Sequence, residues 1–255
     1  MPSVVNTLWI GGPLGKIERA CLRSALRQGH AVRLFCYEPV GGVPEGVDVA
    51  DAAGILPSSR IMRYKDGSVA LFANLFRYAL QRESRGLWAD TDHYFLKPHE
   101  FPEPYVFGRQ QNGRLANGVL RIPPDSPLLA SLLETFDGAV IPPWANEIEK
   151  KKARFLLKRD GSFRPEKMEW GFTGPRALSH LAQELGLDRW AKPTTTFYPV
   201  NFTEADWLLD PARSLEDMIA PDSVGIHLWN QKIKAFKNAP APRGSFLARL
   251  QAEGE

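Results

Sequence analysis

Residues 73–97 read ANLFRYALQRESRGLWADTDHYFLK. Upstream and within this stretch, Val69, Leu71, Phe72, Leu75, Phe76, Ala79 and Leu80 recur at helical spacing, which predicts a helix over 69–82 that carries Arg77. Gly86 follows, as a glycine beyond a helix C-terminus commonly does. The apolar run Leu87-Trp88-Ala89 then reads as a short strand that delivers Asp90 and Asp92 at its carboxyl end. In an open α/β sheet the ligand crevice lies beyond the carboxyl ends of the strands. Two carboxylates at that position suit a divalent cation, because hard cations take oxygen ligands.

The Asp-x-Asp spacing is weak by itself: with 13 Asp in 255 residues, roughly 0.7 such pairs arise by chance. Its context, a helix and then a strand, carries the reading. The competing interpretation is an Asx-rich turn after a strand, although neither carboxylate has an obvious capping or turn duty in the sequence.

Working outward, Val4 to Ile10 reads as a strand running into Gly11-Gly12-Pro13. Lys16 to Gln28 reads as a helix closed by Gly29, with Ile17, Ala20, Cys21, Ser24 and Ala25 on its inward face, and Ala31 to Tyr37 as the next strand. This βαβ opening predicts a parallel sheet. Gly41 to Val49 reads as a turn-rich link. Strands are expected at Tyr105 to Gly108 and Gly118 to Ile122, joined by a loop over 110–117, with strand-like pieces at Phe197 to Val200 and Val224 to Leu228. Helices are expected at Pro127 to Phe136 and Phe172 to Leu185. One domain over 1–237 is expected, followed by a loosely attached tail over 238–255.

With 44% hydrophobic residues the chain can build a sizeable core, and a formal net charge of +3 argues against a nucleic-acid partner. Cys21 and Cys36 lack metal-type spacing and read as buried free thiols, as in a reducing compartment. The first residues lack the pattern of a signal peptide, and no apolar stretch approaches the ~20 residues of a membrane-spanning helix. The expected location is the cytoplasm.

Four pieces of the sequence, in order, resemble a known family: Leu8-Trp9-Ile10-Gly11-Gly12; Asn74-x-x-Arg77 with Trp88-Ala89-Asp90-Thr91-Asp92; Trp170-Gly171-Phe172-Thr173-Gly174-Pro175; and Ile226-His227-Leu228-Trp229-Asn230. Together they resemble the metal-dependent glycosyltransferases of the GT-A fold that share an Asp-x-Asp motif. The likeness is to the capsular-polysaccharide and α-1,4-galactosyltransferase-like group and, more distantly, to the glucosyltransferase domains of the large clostridial toxins. The fold so implied is α/β, Rossmann-like, with a mixed, mostly parallel sheet flanked by helices.

The resemblance implies a UDP-sugar donor, Mn²⁺ or Mg²⁺ as cofactor, a glycan or lipid-linked acceptor in surface polysaccharide synthesis, and transfer with retention. It implies that Trp9, Ile10, Gly11, Asn74, Arg77, Trp88, Asp90 and Lys232 line the donor site. Asp90, Asp92 and His227 would hold the metal, with Asp90, Asp92 and Arg77 serving catalysis. Glu169, Trp170, Thr173 and Asn117 would meet the acceptor. Without the resemblance, Trp9 reads equally as a core residue, Arg77 and Lys232 as solvated residues, and His227 as structural. The sequence departs from the family at Asn74, where Asp is common, at Arg85-Gly86, where Gly-Gly is common, and at Trp88, where Tyr is common.

Two other functions share parts of this pattern. A haloacid-dehalogenase-type phosphatase also carries Asp-x-Asp at a strand end, but Tyr94 stands where Thr or Val is usual. The other is a GT-A module that binds sugar or lipid and has lost activity. The basic stretch over 150–159, interleaved with Phe155, Leu156 and Leu157, reads either as a solvated helix face or as a peripheral contact with an anionic membrane surface.

Overall fold

The computed structural model describes residues 4–255. The chain opens with β1 (Val5–Trp9), α1 (Lys16–Arg27), β2 (Val32–Cys36) and β3 (Val47–Asp51), then α2 (Ala70–Arg82), β4 (Leu87–Ala89) and β5 (His93–Phe95). A hairpin, β6 (Val106–Arg109) and β7 (Leu115–Arg121), precedes α3 (Pro127–Glu134), α4 (Glu147–Asp160) and α5 (Pro175–Glu184). Short helical turns α6 (Thr194–Phe197) and α7 (Leu215–Met218) lead to β8 (Gly225–His227), α8 (Asn230–Ile233) and α9 (Phe246–Glu253).

Six strands form one sheet in the order β3-β2-β1-β4-β7-β6. The first four are mutually parallel, while β7 pairs antiparallel with both β4 and β6. Alternate side chains send opposite faces into different cores. Leu8, Phe35 and Trp88 pack with α2, α3 and α5, whereas Val5, Leu34 and Leu87 pack with Leu22 and Ala25 of α1. The result is an α/β architecture with helices on both faces of a mostly parallel sheet.

The strand order reverses at β1. The chain runs outward through β2 and β3, then returns to place β4 on the other side of β1, with Val5 opposite Leu87 and Asn6 opposite Trp88. Such a switch point opens a crevice beyond the carboxyl ends of the two strands. Buried Asn6 fixes the junction, its amide donating to the carbonyls of Arg85 at 2.7 Å and Leu87 at 3.2 Å. Gly86 makes the approach possible: it sits at φ +106°, and a Cβ there would lie 2.8 Å from the Val4 carbonyl oxygen.

Three expectations need correction. The turn-rich reading of 41–49 missed the start of β3, an edge strand paired on one side only and half solvated, so its Val47 and Val49 lack an apolar run. Phe197 to Val200 is no strand: the chain enters the helical turn α6 from Pro193, and Pro199 removes a ladder donor. The tail is not loosely attached, because Phe246, Leu247 and Leu250 are buried and Glu253 accepts hydrogen bonds from Tyr94 and Arg27. Cys21 and Cys36 are buried free thiols, as expected. No described helix is long and apolar enough to cross a membrane.

Candidate metal centre

Asp90 and Asp92 follow β4 directly, at the switch point. A separate two-stranded sheet brings the third member: β5 pairs antiparallel with β8, and His93 stands opposite His227. His227 Nε2 thereby lies 3.5 Å from Asp90 Oδ2 and 3.5 Å from Asp92 Oδ1. One ligand atom from each of the three residues falls within 4.8 Å of the others.

The remaining atoms of the cluster are held from outside. Asp90 Oδ1 accepts from Trp88 Nε1 at 2.9 Å and pairs with Arg77 Nη2 at 3.0 Å. Asp92 Oδ2 accepts the Asn230 backbone N–H at 2.6 Å. These contacts leave Asp90 Oδ2, Asp92 Oδ1 and His227 Nε2 facing one another, as outer partners do when they orient metal ligands. Burial pushes the Asp90 carboxyl up, but Arg77, His227 and Trp88 outweigh it and hold it below its ordinary value. Burial pushes the His227 imidazole down, yet Asp92 and Asp90 prevail and raise it.

The two carboxylates supply the oxygen donors that a hard divalent ion prefers, within 4.8 Å of each other and of the imidazole nitrogen. The imidazole requires one adjustment. Its Nδ1 accepts the Trp229 backbone N–H at 3.2 Å, which assigns the proton of a neutral ring to Nε2. Ligation through Nε2 therefore moves that proton to Nδ1 and opens the Trp229 contact. Gly118 forms the floor: a Cβ there would lie 2.9 Å from His227 Cδ2 and 3.1 Å from Asp90 Oδ2.

Arg77 is not a solvated residue. It is 4% exposed, and all three guanidinium nitrogens are engaged: Nε with the Ala73 carbonyl, Nη1 with the Asn117 carbonyl and Nη2 with Asp90. Its plane also rests over the Trp88 ring, 4.9 Å from the centroid. In this arrangement Arg77 is buried and positions Asp90, with three of its five N–H donors accounted for by these contacts. Trp88 is 1% exposed, so its expected contact with a donor gives way to a positioning role through Nε1.

Asn74 lies in a buried polar ladder. Its Oδ1 accepts from Asn117 Nδ2 at 2.9 Å, and the same Asn117 amide donates to Tyr78 Oη at 3.1 Å. Asn117 lies within β7 and not in the expected loop, and Thr173 is fully buried with its carbonyl accepting from Tyr78. Neither offers surface to an acceptor. Glu169 and Trp170 are exposed, as an acceptor contact requires. Lys232 lies over the Phe202 ring, 5.1 Å from its centroid. Trp9 is half-buried at the end of β1, its Nε1 tied to the Gly12 carbonyl at 2.7 Å, with half-buried Ile10 and exposed Gly11 following.

Sequence reasoning missed Gly118 and the turn at Trp229. A glycine inside an apolar strand signals close approach of another group, so Gly118 was findable. Trp229 adopts φ +57°, a left-handed conformation that no feature of the sequence announces for a bulky residue. That turn aims both the Trp229 N–H and the Asn230 N–H back into the cluster.

No protein family model matches the sequence, and no curated protein matches it. Among solved structures, one titled PaToxG Glycosyltransferase aligns with 72% of this chain and 69% of its own, at 13% identity and a TM-score of 0.42. A superposition that loose decides neither fold nor function, and the reading rests on the site.

Proposed function

We propose that the protein is a metal-dependent glycosyltransferase of the GT-A type. It would move a hexose or N-acetylhexosamine from a UDP-sugar to a glycan or lipid-linked acceptor, with retention of configuration. The observation that carries this reading is the convergence of Asp90 Oδ2, Asp92 Oδ1 and His227 Nε2 beyond the carboxyl ends of β1 and β4. The four sequence motifs support the choice of donor, since the first and last of them frame this same crevice.

A bound Mn²⁺ or Mg²⁺ supplies neutralisation of the charge that develops on a departing diphosphate. Asp90, Asp92 and His227 would hold that ion, while Arg77, Trp88 and Asn230 fix the orientation of the two carboxylates. Trp9, half-buried at the end of β1, offers a ring to a nucleobase. Exposed Glu169 and Trp170 are the residues assigned to the acceptor.

A phosphatase that uses Asp90 as nucleophile is disfavoured, because with Oδ2 turned to the cation site the attacking oxygen would be Oδ1, which Trp88 and Arg77 engage. The deciding experiment is UDP release from a panel of UDP-sugars, with and without Mn²⁺ and with no acceptor added. Slow Mn²⁺-dependent hydrolysis of one donor supports the proposal and names the sugar. If calorimetry finds no UDP binding in the presence of Mn²⁺, the donor assignment is wrong. Binding without turnover, even with acceptors supplied, points to the inactive module.

A further inference from the structure

Six large apolar side chains are notably exposed among the described residues: Val49, Val140, Ile148, Phe155, Trp170 and Leu185. Four of them fall within residues 140–170, the flank built around α4. On α4 itself, Ile148 is 76% and Phe155 61% exposed, two helical turns apart on one side. The inward side carries Glu149, Ala153 and Leu156, all buried. Of the Phe155, Leu156 and Leu157 that the sequence interleaves with the basic residues, only Phe155 is exposed, and Ile148 joins it.

Charge follows the same geometry. Each exposed apolar residue has basic residues three and four positions on: Lys151 and Lys152 after Ile148, Lys158 and Arg159 after Phe155. Those spacings set them beside it on the helix surface. Lys151 and Lys158 make no ion pair among the described residues, and Arg159 lies over the Phe155 ring at 5.4 Å while pairing with Asp160. Residues 147–167 hold eight Lys and Arg against four Asp and Glu, while the whole chain carries only +3. One of those four, Glu149, is consumed internally by Arg176. The basic charge of the molecule is therefore concentrated where its apolar side chains are exposed.

We propose that the α4 flank docks on an anionic lipid bilayer. Apolar residues flanked by lysines on a helix lying in the interface plane meet the two requirements of such a surface, acyl burial and attraction to anionic headgroups. A nucleic acid would meet the lysines but leave Ile148 without a partner. The face shares no residue with the Asp90, Asp92 and His227 cluster and does not depend on the reaction assigned there.

The test is co-sedimentation of the full chain with vesicles of phosphatidylcholine alone and of phosphatidylcholine with about 30% phosphatidylglycerol. Binding to the anionic vesicles at low salt is expected, with little to the neutral ones. The double variant I148S/F155S is expected to weaken partition about tenfold, and K151E/K158E by at least as much. All four positions are solvent-exposed, so folding should persist, and circular dichroism checks it. No pelleting with anionic vesicles at low salt overturns the proposal. So does unchanged partition of I148S/F155S, which would leave a purely electrostatic surface equally open to RNA. Retention of Mn²⁺ binding by both variants separates this result from any failure of the metal centre.

Discussion

His93 and His227 are register partners across the β5–β8 pair, and that pairing sets the third member of the metal cluster beside the first two. His93 is itself buried, with neither ring nitrogen hydrogen-bonded among the described residues, and burial pushes its imidazole well below the ordinary value. It acts as a neutral, aromatic-like wedge, edge-on to Phe95 with ring centroids 4.9 Å apart. Gly225 closes over it so tightly that a Cβ there would lie 2.2 Å from Nε2. The candidate metal centre thus depends on a short two-stranded sheet packed around a buried histidine.

Asp92→Asn tests the cluster most directly. An amide oxygen can still accept the Asn230 N–H, so the turn and the fold should persist. The anion is lost, and Mn²⁺ affinity should fall by more than about 100-fold, beyond the 10–100-fold typical of an outer partner. Calorimetric titration with Mn²⁺ measures this; near-normal affinity would remove Asp92 from the ligand set.

Gly118→Ala should loosen the same site without replacing a ligand. The added methyl would meet the His227 ring at 2.9 Å and must displace it. The expected result is about tenfold weaker Mn²⁺ binding together with about 1–3 kcal/mol of lost stability from overpacking. Unchanged metal affinity would mean that His227 is not a ligand.

Much of this was legible in the sequence, and the reasons differ from residue to residue. The helix bearing Arg77 and the strand ending at Asp90 were readable because long periodic segments and terminal glycines are local signals. The pairing of β5 with β8 was not, since three-residue strands carry no measurable alternation. Trp88 and Thr173 were assigned to ligands because they lie within motifs, yet sequence cannot tell a residue that touches a substrate from one that orients its neighbour. Arg77 is the clearest example: the family resemblance placed it at the donor, and the fold buries it against Asp90 and the Asn117 carbonyl.

Adding Mg²⁺ should change the environment of one backbone amide. The Trp229 N–H donates to His227 Nδ1, and ligation through Nε2 would open that contact. The Trp229 amide resonance should move upfield, and its hydrogen exchange should quicken, on titration with diamagnetic Mg²⁺. A resonance that stays fixed while Mg²⁺ binds would assign the ion to the carboxylates alone.

Arg77→Ala should cost stability before it costs chemistry. Removing the guanidinium leaves Asp90 without its buried partner and the Asn117 carbonyl without its donor. Breaking such a buried pair costs about 3–5 kcal/mol, readable by urea unfolding. Arg77→Lys should recover only part of this, because one ammonium cannot span three acceptors. A loss below about 1 kcal/mol would return Arg77 to the role of a ligand-facing residue.

Glu149 gives the α4 flank a pH dependence with a definite sign. Its carboxylate is buried and bidentate to Arg176, at 2.8 and 2.7 Å, and accepts the backbone N–H groups of Asn146 and Glu169. Burial raises its pKa, but the Arg176 hydrogen bonds and the backbone donors prevail and lower it from 4.5. A carboxyl depressed in the folded state binds its proton more tightly when unfolded. Its stabilisation is therefore complete above the ordinary value and is lost as pH falls through the lowered one. Glu149→Gln removes this contribution at every pH. Wild type and variant should differ most at neutral pH and draw together as pH falls through the lowered value. Urea unfolding followed from pH 7 to pH 3 checks both the size and the convergence; a difference that does not change with pH would show that the pair contributes through packing and not through charge.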